Sequence, residues 1–591
     1  MVNTGVELDP GLEDANFVQV LRRRAREDSE AAAFGFLSDT DSETRLTYGE
    51  LDRRARAVGA ALQRLGAAGQ RVLLVHPPGV EFVVGFLGCL YGGAVAVPVY
   101  PPRPGKDGRD QQRLRAVVRS ARPKVVLGTS ALLAGFREDG TSGSPELQRL
   151  ASDALEPGLE EAWAEPRAEP GSLALLQYTS GSTGEPKGVM LSHGNLLHDS
   201  RLIRDAFGHT RQSRGVIWLP PYHDMGLIGG ILQPLYAGFP VTLMSPVAFL
   251  QRPLRWLQAI SRLGATTSGG PNFAYELCLR KVTAEQRAGL DLSHWDVAFC
   301  GAEPVRRDTL ERFAEVFAPC GFRREAFFPC YGLAEATLIV SGGVKGTAPR
   351  ALPLDPSALE RHRVVETADP EARHLVGCGR PLADVAIVDP ESGRARGPDE
   401  VGEIWVRGAG VAAGYFERPD ESRATFGATR TDTGEGPWLR TGDLGFLAEG
   451  QLFVSGRLKD LIILRGRNHY PQDLEATASG CEAALGADAC AAFAVEREGE
   501  ERLAIAVELP PRHLAALRRA RDEDGAAADP FTALCRRLRA AVVAAHEVEA
   551  DEVILLEPGG LPRTTSGKVR RRACREGLLA GTLPIVSRLA R

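Results

Sequence analysis

Short apolar runs alternate with amphipathic stretches through the first part of this 591-residue chain, and this alternation constrains the fold more than any other feature. Apolar runs bounded by turn residues predict buried strands, and they occur at 71–77, 124–129, 172–180, 215–220 and 295–301. The segments 252–263 and 306–317 have the residue spacing of helices. Such alternation predicts an α/β fold, with a large N-terminal domain of mixed, largely parallel sheets and helices.

The region from residue 451 onward has the pattern of a smaller, separate unit. Apolar runs at 491–496, 502–509 and 552–558 predict strands of its own, and Ala- and Arg-rich segments predict helices between them. We therefore expect a small C-terminal α+β domain after the large one.

Composition and charge exclude several classes of function. The net charge of −5 gives no support to a nucleic-acid-binding role. The 10 cysteines are too dilute for a disulfide scaffold and form no CxxC pair, so we expect buried, reduced thiols. The first residues lack a positive segment followed by an apolar one, so we expect no signal peptide and a cytoplasmic location.

One uncharged stretch, from residue 82 to residue 102, is long enough to cross a membrane. Its interior contains four glycines and Pro98, which break a single helix. A buried helix, a turn and a strand fit this stretch better than a transmembrane segment, so we expect no membrane span.

Lysine is scarce in this chain. Of the 71 cationic residues only seven are lysine, at positions 106, 124, 187, 281, 345, 459 and 568. In a chain that uses arginine almost everywhere, a lysine indicates a need for a compact, flexible ammonium group.

The first lysine of interest follows the predicted strand at 172–180. The string Tyr178-Thr-Ser-Gly-Ser-Thr-Gly-Glu-Pro-Lys187-Gly188 combines hydroxyl groups, glycines and one ammonium, which together can surround phosphate oxygens. It is not a P-loop, because Pro186 and Gly188 flank the lysine. The alternative is a flexible, hydroxyl-rich turn.

Further motifs follow this loop in a fixed order. They are Gly301-Ala302-Glu303-Pro304, Tyr331-Gly-Leu-Ala-Glu335, Thr441-Gly442-Asp443, Gly456-Arg457-Leu458-Lys459-Asp460 and Pro562-Arg-Thr-Thr-Ser-Gly567-Lys568. With the loop, they resemble the adenylate-forming superfamily, whose members join a carboxylate to AMP with ATP. The resemblance extends over most of the chain.

The resemblance implies ATP and Mg²⁺ as cofactors and assigns roles to individual residues. Lys568 would bridge the substrate carboxylate and the α-phosphate, and Glu335 would hold Mg²⁺. The implied cofactor-binding set comprises Thr179, Ser180, Gly181, Ser182, Thr183, Gly184 and Lys187 at the phosphates, Gly301, Ala302, Glu303, Tyr331 and Gly332 at the adenine, and Asp443 and Arg457 at the ribose.

The resemblance also implies a movement between two domains, 1–457 and 458–591. The small mobile domain would carry the catalytic Lys568 and would rotate about Lys459, although Lys459 could instead be an ordinary linker charge. His223, in the string Pro220-Pro-Tyr-His-Asp-Met-Gly226, would point at the α-phosphate or the acyl carboxylate. The alternative is a structural histidine held by Asp224.

The stretches 230–235 and 273–278 are expected to line the acid pocket. They contain no aspartate that could pair with the amine of an amino-acid substrate. The stretch 268–273 is mostly small or apolar, which suits an alkyl chain. The strings at 95–102, 219–232, 301–306 and 438–446 resemble fatty acyl-AMP ligases. The 42 residues from Glu335 to Gly377, which include 352–365, resemble the insertion that is thought to bar coenzyme A from those enzymes. An ordinary long loop is the alternative.

These features predict activation of a fatty acid to acyl-AMP, followed by transfer to the phosphopantetheine thiol of an acyl carrier protein. A long-chain acyl-CoA ligase and a catalytically silent, partner-binding relative are the alternatives. The arginines at 570–572 and Arg575 could dock an acidic carrier protein or form a solvated helix face.

Overall fold

The computed structural model describes residues 14–38, 42–101, 109–135, 147–180, 186–370, 372–464, 467–482, 484–486, 488–497, 500–523, 529–563 and 568–590. The strands, in chain order, are β1 (Ala32–Leu37), β2 (Glu43–Thr47), β3 (Arg71–Val75), β4 (Val95–Val99), β5 (Val125–Gly128), β6 (Gln148–Ala151), β7 (Leu173–Ser180), β8 (Pro186–Ser192), β9 (Gly215–Ile217), β10 (Val241–Met244), β11 (Thr267–Gly270), β12 (Val297–Cys300), β13 (Phe327–Gly332), β14 (Ile339–Gly342), β15 (Ala351–Leu354), β16 (Arg373–Val376), β17 (Arg380–Pro381), β18 (Asp384–Val388), β19 (Gly402–Arg407), β20 (Leu439–Ala448), β21 (Gln451–Arg457), β22 (Ile462–Leu464), β23 (Arg467–His469), β24 (Cys490–Arg497), β25 (Glu500–Glu508), β26 (Ala550–Leu556) and β27 (Ile585–Ala590).

The α-helices, in chain order, are α1 (Phe17–Glu27), α2 (Tyr48–Arg64), α3 (Val80–Tyr91), α4 (Arg109–Ala121), α5 (Ser130–Gly135), α6 (His193–Phe207), α7 (Gln233–Ala237), α8 (Pro246–Gln251), α9 (Leu254–Leu263), α10 (Asn272–Lys281), α11 (Ala284–Arg287), α12 (Arg307–Phe317), α13 (Pro356–Glu360), α14 (Pro419–Phe426), α15 (Pro471–Gly480), α16 (Pro511–Glu523), α17 (Pro530–His546) and α18 (Arg571–Leu579).

Two large sheets form the first part of the molecule. The larger has the order β17-β14-β13-β12-β11-β9-β10-β1-β2 and is parallel from β1 across to β13, with antiparallel pairs at both ends. The second has the order β6-β5-β3-β4-β7-β8 and is parallel from β6 to β7. The predicted strands at 71–77, 124–129, 172–180, 215–220 and 295–301 correspond to β3, β5, β7, β9 and β12. The prediction of an α/β fold with largely parallel sheets is confirmed.

The uncharged stretch at 82–102 folds as expected from its glycines and proline. Helix α3 ends at Gly92, a turn follows, and β4 occupies the middle of the second sheet, where its residues are buried. Among the described residues, no helix is both long enough and apolar enough to span a membrane.

The C-terminal region has its own sheet and its own core. The sheet order is β24-β25-β26-β27, and the predicted strands at 491–496, 502–509 and 552–558 are β24, β25 and β26. Helices α15 and α17 pack on this sheet with buried side chains such as Leu474, Leu534 and Leu538. The α+β character is confirmed, and the placement of the boundary at 457/458 stays a prediction.

Candidate active site

An aspartate at the end of the large domain is held by two other chain segments. Strands β20 and β21 pair Asp443 with Arg457 across the sheet. The Arg457 Nε donates to Asp443 Oδ1 at 2.8 Å, and the Tyr331 hydroxyl donates to Oδ2 at 2.8 Å. The Asp443 carboxylate and burial raise the pKa of Tyr331, and the same carboxylate raises the pKa of Arg457. These three predicted nucleotide-site residues therefore lie together.

Backbone segments approach each other closely around Tyr331. A side chain at Gly332 would collide with the carbonyl oxygen of Leu338, and one at Gly301 would meet the carbonyl oxygen of Cys330 at 2.6 Å. Ala302 adopts a positive φ of 65°, which turns the chain sharply after β12. The loop from Gly301 to Glu303 and the end of β13 thus run close together, as expected for the two walls of the adenine pocket.

The predicted phosphate loop is described only at its two ends. Thr179 and Lys187 pair across β7 and β8, whereas Gly181, Ser182, Thr183 and Gly184 lie outside the described residues, as does the side chain of Ser180. The Lys187 ammonium forms an ion pair with Glu421 on α14 and lies 4.9 Å from the centroid of the Tyr415 ring. Neither Glu421 nor Tyr415 was part of the predicted site.

Tyr415 also contacts the predicted metal ligand. Its hydroxyl donates to Glu335 Oε1 at 2.8 Å, and the backbone nitrogen of Ala412 donates to the Glu335 carbonyl oxygen at 2.9 Å. Burial raises the pKa of Glu335. Tyr415 therefore links Glu335 to Lys187, and the string Gly414-Tyr415-Phe416 gave no sequence signal for this role.

Lys568 reaches from the C-terminal region into this site. Burial lowers the pKa of its ammonium group, while the acidic side chains of Glu303, Asp224 and Asp443 raise it. Glu303 is anchored by the backbone nitrogen of Phe273, which donates to Oε1 at 2.6 Å, and burial raises its pKa to about 7. The structure thus brings Lys568 to the residues of three separate motifs.

His223 follows strand β9 in the chain and interacts electrostatically with Lys568. Burial, with the charges of Arg113 and Lys568, lowers the pKa of the imidazole to about 3, so the ring is neutral near neutral pH. The preceding carbonyl, of Tyr222, accepts from Gln177 Nε2 at 2.9 Å, which fixes this turn against β7. Asp224 Oδ1 accepts from the backbone nitrogen of Met225 at 2.7 Å and faces Lys568. Asp224 is therefore a site residue that the sequence suggested only as a support for His223.

The predicted hinge residue lies in a short helical turn, Leu458–Asp460, directly after β21. The Lys459 side chain is exposed. The neighbouring Asp460 accepts from Arg571 Nη1 at 3.0 Å, and Arg571 also donates to both oxygens of Glu475. Arg571 is thus committed inside the C-terminal region, and Arg572 donates to Glu576 Oε1 at 2.7 Å. Two of the four arginines of the predicted carrier contact therefore have carboxylate partners within the protein.

An apolar cavity opens from the nucleotide residues into the large sheet. Its empty volume, with the open mouth included, is about 740 Å³. Ala302, Tyr331, Gly332 and Asp224 line one end, and the other lining residues are largely apolar; they include Ile203, Phe207, Ile217, Met225, Gly229, Pro234, Phe239, Val241, Phe299, Leu338 and Ile339. The π-helix Met225–Leu232 forms part of this wall, within the predicted stretch 219–232. The cavity suits an alkyl chain whose polar end meets the nucleotide.

The segment 341–375 connects the two parts of the molecule. Strands β15 and β16 pair, and helix α13 packs Leu359 against a cluster that includes Phe446 and Tyr470. Glu360 accepts from Arg467 Nε at 2.8 Å, and Arg373 pairs with Asp473 at 3.1 Å. The segment is therefore a folded unit in contact with β23 and α15 and not an ordinary extended loop.

Comparison with known proteins identifies the family. A family model described as AMP-binding enzyme matches residues 21–416. The chain belongs to the AMP-binding enzyme family. The resemblance inferred from the motifs is thereby confirmed.

Several full-length relatives of this AMP-binding enzyme are described as fatty-acid ligases. A medium-chain-fatty-acid–[acyl-carrier-protein] ligase of Moorena producens is 44% identical over 97% of this chain and 96% of its own length. A ligase of the same description from Teredinibacter turnerae is 36% identical over 96% of this chain and 94% of its own length. The crystal structure of a fatty acyl-adenylate ligase from Legionella pneumophila, in complex with acyl adenylate and pyrophosphate, matches with a TM-score of 0.75 and 40% identity, covering 99% of both chains.

Proposed function

We propose that this protein activates a fatty acid with ATP to an acyl-adenylate, with release of pyrophosphate, and then passes the acyl group to the phosphopantetheine thiol of an acyl carrier protein. One observation carries the first step. A single cavity, lined at one end by Tyr331, Ala302 and Asp224, continues between largely apolar side chains. Lys568 interacts electrostatically with Asp224, which lines that end, and with Asp443, which accepts from Tyr331.

In the first step a carboxylate oxygen attacks the α-phosphorus of ATP, and the bond from that phosphorus to the pyrophosphate oxygen breaks. Both reactants are anionic, so the site must supply positive charge where negative charge develops. Lys568 supplies it, since its ammonium group is surrounded by Glu303, Asp224 and Asp443 and is held at the junction. The neutral His223 can donate a hydrogen bond there without adding charge.

Asp443 binds the ribose hydroxyls in this proposal, with its carboxylate fixed by Arg457 and Tyr331. The β- and γ-phosphates lie along the loop between Thr179 and Lys187. The Lys187 ammonium group then leaves Glu421 and binds phosphate oxygens instead. The backbone at Gly301, Ala302 and Gly332 encloses the adenine.

A magnesium ion fits the residues at Glu335. Mg²⁺ at nucleotide sites typically takes one or two carboxylates and completes its coordination with phosphate oxygens and water. Glu335 offers one buried carboxylate held by Tyr415, and no cluster of three or more ligating side chains occurs in the described part of the chain. Bound there with ATP, the ion would neutralise charge on the pyrophosphate.

In the second step the carrier thiolate attacks the acyl carbonyl, and AMP leaves with the electron pair of the broken carbon–oxygen bond. The thiol needs access to the carbonyl that Lys568 approaches in the first step. We propose that the small domain rotates about Lys459 to withdraw Lys568 and open that path.

The acceptor can be tested directly. With ATP, Mg²⁺ and a panel of fatty acids, we expect acyl transfer to a phosphopantetheinylated carrier protein and little acyl-CoA when coenzyme A replaces the carrier, both followed by mass spectrometry. The relatives described as acyl-carrier-protein ligases and the folded segment 341–375 support this expectation. Efficient acyl-CoA formation by the wild-type protein would contradict it.

A variant tests whether the segment controls the choice of acceptor. Arg373→Ala removes the ion pair with Asp473 and a guanidinium that lies 4.3 Å from the Tyr470 ring centroid. We expect a larger ratio of acyl-CoA to acyl-carrier product in this variant. Arg363→Ala, which loses only an exposed ion pair with Glu400, is the control and should keep the wild-type ratio.

The pH profile provides a separate test of Lys568. Its ammonium form is active, so kcat/KM for adenylation should fall as pH rises through its pKa, which burial places below the usual lysine value. The Glu303 carboxylate opposes that lowering. We therefore expect Glu303→Gln to move the alkaline limb to lower pH, measured as pyrophosphate release. Glu276→Gln is the control. It alters a carboxylate that accepts from Thr309 and should leave the alkaline limb unmoved. An unmoved limb in Glu303→Gln would contradict the role assigned to the Lys568 ammonium.

A further inference from the structure

The far end of the acyl cavity contains a buried polar cluster. His209, Thr267 and Val241 line that end. The parallel strands β9, β10 and β11 all have their first residues there. Thr267 pairs in register with Val297, five positions before Ala302, so the two ends of the cavity lie about 15 Å apart at strand spacing. The cavity is therefore a tunnel along the sheet, with nucleotide residues at one end and His209 at the other.

The His209 imidazole is held at both ring nitrogens. The Gln233 side-chain nitrogen donates to the Ser200 carbonyl oxygen at 2.7 Å. The Gln233 side-chain oxygen accepts from the backbone nitrogen of Arg204 at 3.2 Å and from His209 Nδ1 at 3.1 Å. Because the neutral ring carries its single proton on Nδ1, Nε2 accepts from the Thr267 hydroxyl at 3.2 Å. The ring is 8% exposed, and burial lowers its pKa to about 3, so it is neutral and satisfied.

Aromatic rings hold the imidazole from the sides. The His209 ring centroid lies 5.3 Å from that of Phe207 and 4.9 Å from that of Phe239, and both phenylalanines also line the tunnel. A side chain fixed by two hydrogen bonds and two ring contacts cannot move aside easily for an incoming chain. His209 has the properties of a rigid wall.

The surface lies just behind this wall. A side-chain carbon at Gly208, the residue before His209, would meet Lys345 Cδ at 3.3 Å, and the Lys345 side chain is 38% exposed. Removal of the imidazole would therefore lengthen the tunnel by the space that the ring occupies.

We infer that His209, locked by Gln233 and Thr267, closes the acyl tunnel and limits the length of the fatty acids that it accepts. This inference rests on the proposed function, because it takes the tunnel as the site of the acyl chain. Each methylene that a pocket accepts or excludes typically changes kcat/KM by about 10- to 200-fold. A wall in this position thus determines chain length strongly.

The test uses the full-length protein with octanoic, lauric, palmitic and stearic acids. Pyrophosphate release gives kcat/KM for each acid, and displacement of a fluorescent fatty acid gives the dissociation constant without ATP. We expect His209→Ala to raise the palmitic-to-octanoic ratio in both measurements by about tenfold or more. Thr267→Val keeps the shape of the side chain but frees one ring nitrogen, so we expect a smaller shift in the same direction.

His76→Ala is the matched control. His76 is an equally buried histidine that pairs with Ser152 in the other sheet, and this variant should keep the wild-type ratio. An unchanged chain-length profile in folded His209→Ala, or in Thr267→Val if the alanine variant does not fold, would overturn the inference. A second outcome separates this inference from the proposed function. If the wild-type protein binds acids only up to a certain length and His209→Ala relaxes that limit, His209 closes the tunnel. If no acid gives pyrophosphate release in the same experiment, the proposed function is wrong.

Discussion

Replacement of Lys568 by alanine should lower the rate of acyl-adenylate formation by about 10²- to 10³-fold, the usual effect of losing one preorganised charge contact to a reacting oxyanion. The effect is expected to be large because Lys568 interacts with the acidic side chains of Glu303, Asp224 and Asp443. Without its ammonium group, their negative charges would face the two incoming anions. Single-turnover formation of acyl-AMP, followed by chromatography, measures it.

Arginine at this position should not restore the rate. The planar guanidinium is larger and less flexible than an ammonium group, so it cannot place its charge at the same point between the two reacting groups. Lys281→Ala is the matched control, since the exposed Lys281 only donates to the Leu250 carbonyl oxygen, and it should keep wild-type adenylation. Near-normal activity of Lys568→Arg would contradict the assigned role.

Replacement of Glu335 by glutamine is expected to have the second largest effect, a loss of about 10²-fold or more in adenylation. The amide keeps the size of the side chain but removes the charge offered to Mg²⁺. Tyr415→Phe removes the hydroxyl that donates to Glu335 at 2.8 Å and should cost about 10- to 100-fold, as is usual for a partner of a metal ligand.

Titration with Mg²⁺ separates these variants from general damage. Both should need a higher Mg²⁺ concentration for half-maximal rate. Tyr222→Phe, which alters a tyrosine whose ring packs edge-to-face against Tyr100, should not. Unchanged Mg²⁺ dependence in Glu335→Gln would remove Glu335 from the metal site.

The sequence predicted the elements of this fold well where local pattern decides them. The apolar runs became strands because parallel strands are buried on both faces, and the glycines of the stretch at 82–102 divided it into α3 and β4. The motifs also indicated distant segments that meet, because a short motif keeps its identity however far it lies from the next. Tyr331, Asp443 and Arg457 do lie together.

Contacts between distant segments could not be predicted in this way. Tyr415 is 80 residues from Glu335, and its role depends on the bridge that it forms with Val189 of β8. His209 follows an ordinary helix end at Gly208, and only the pairing of β9 with β11 places Thr267 beside it. No periodicity or spacing in the chain records either arrangement.

Lys568 is delivered by one domain, and the acidic groups around it belong to the other. The position of the small domain is therefore linked to the charge of whatever occupies the site. An anionic nucleotide favours the arrangement with Lys568 inserted, and by thermodynamic reciprocity that arrangement tightens the nucleotide by the same factor. In the reaction proposed above, departure of pyrophosphate would remove most of that negative charge, and we expect it to weaken the hold on Lys568 before the acyl group is transferred to a carrier.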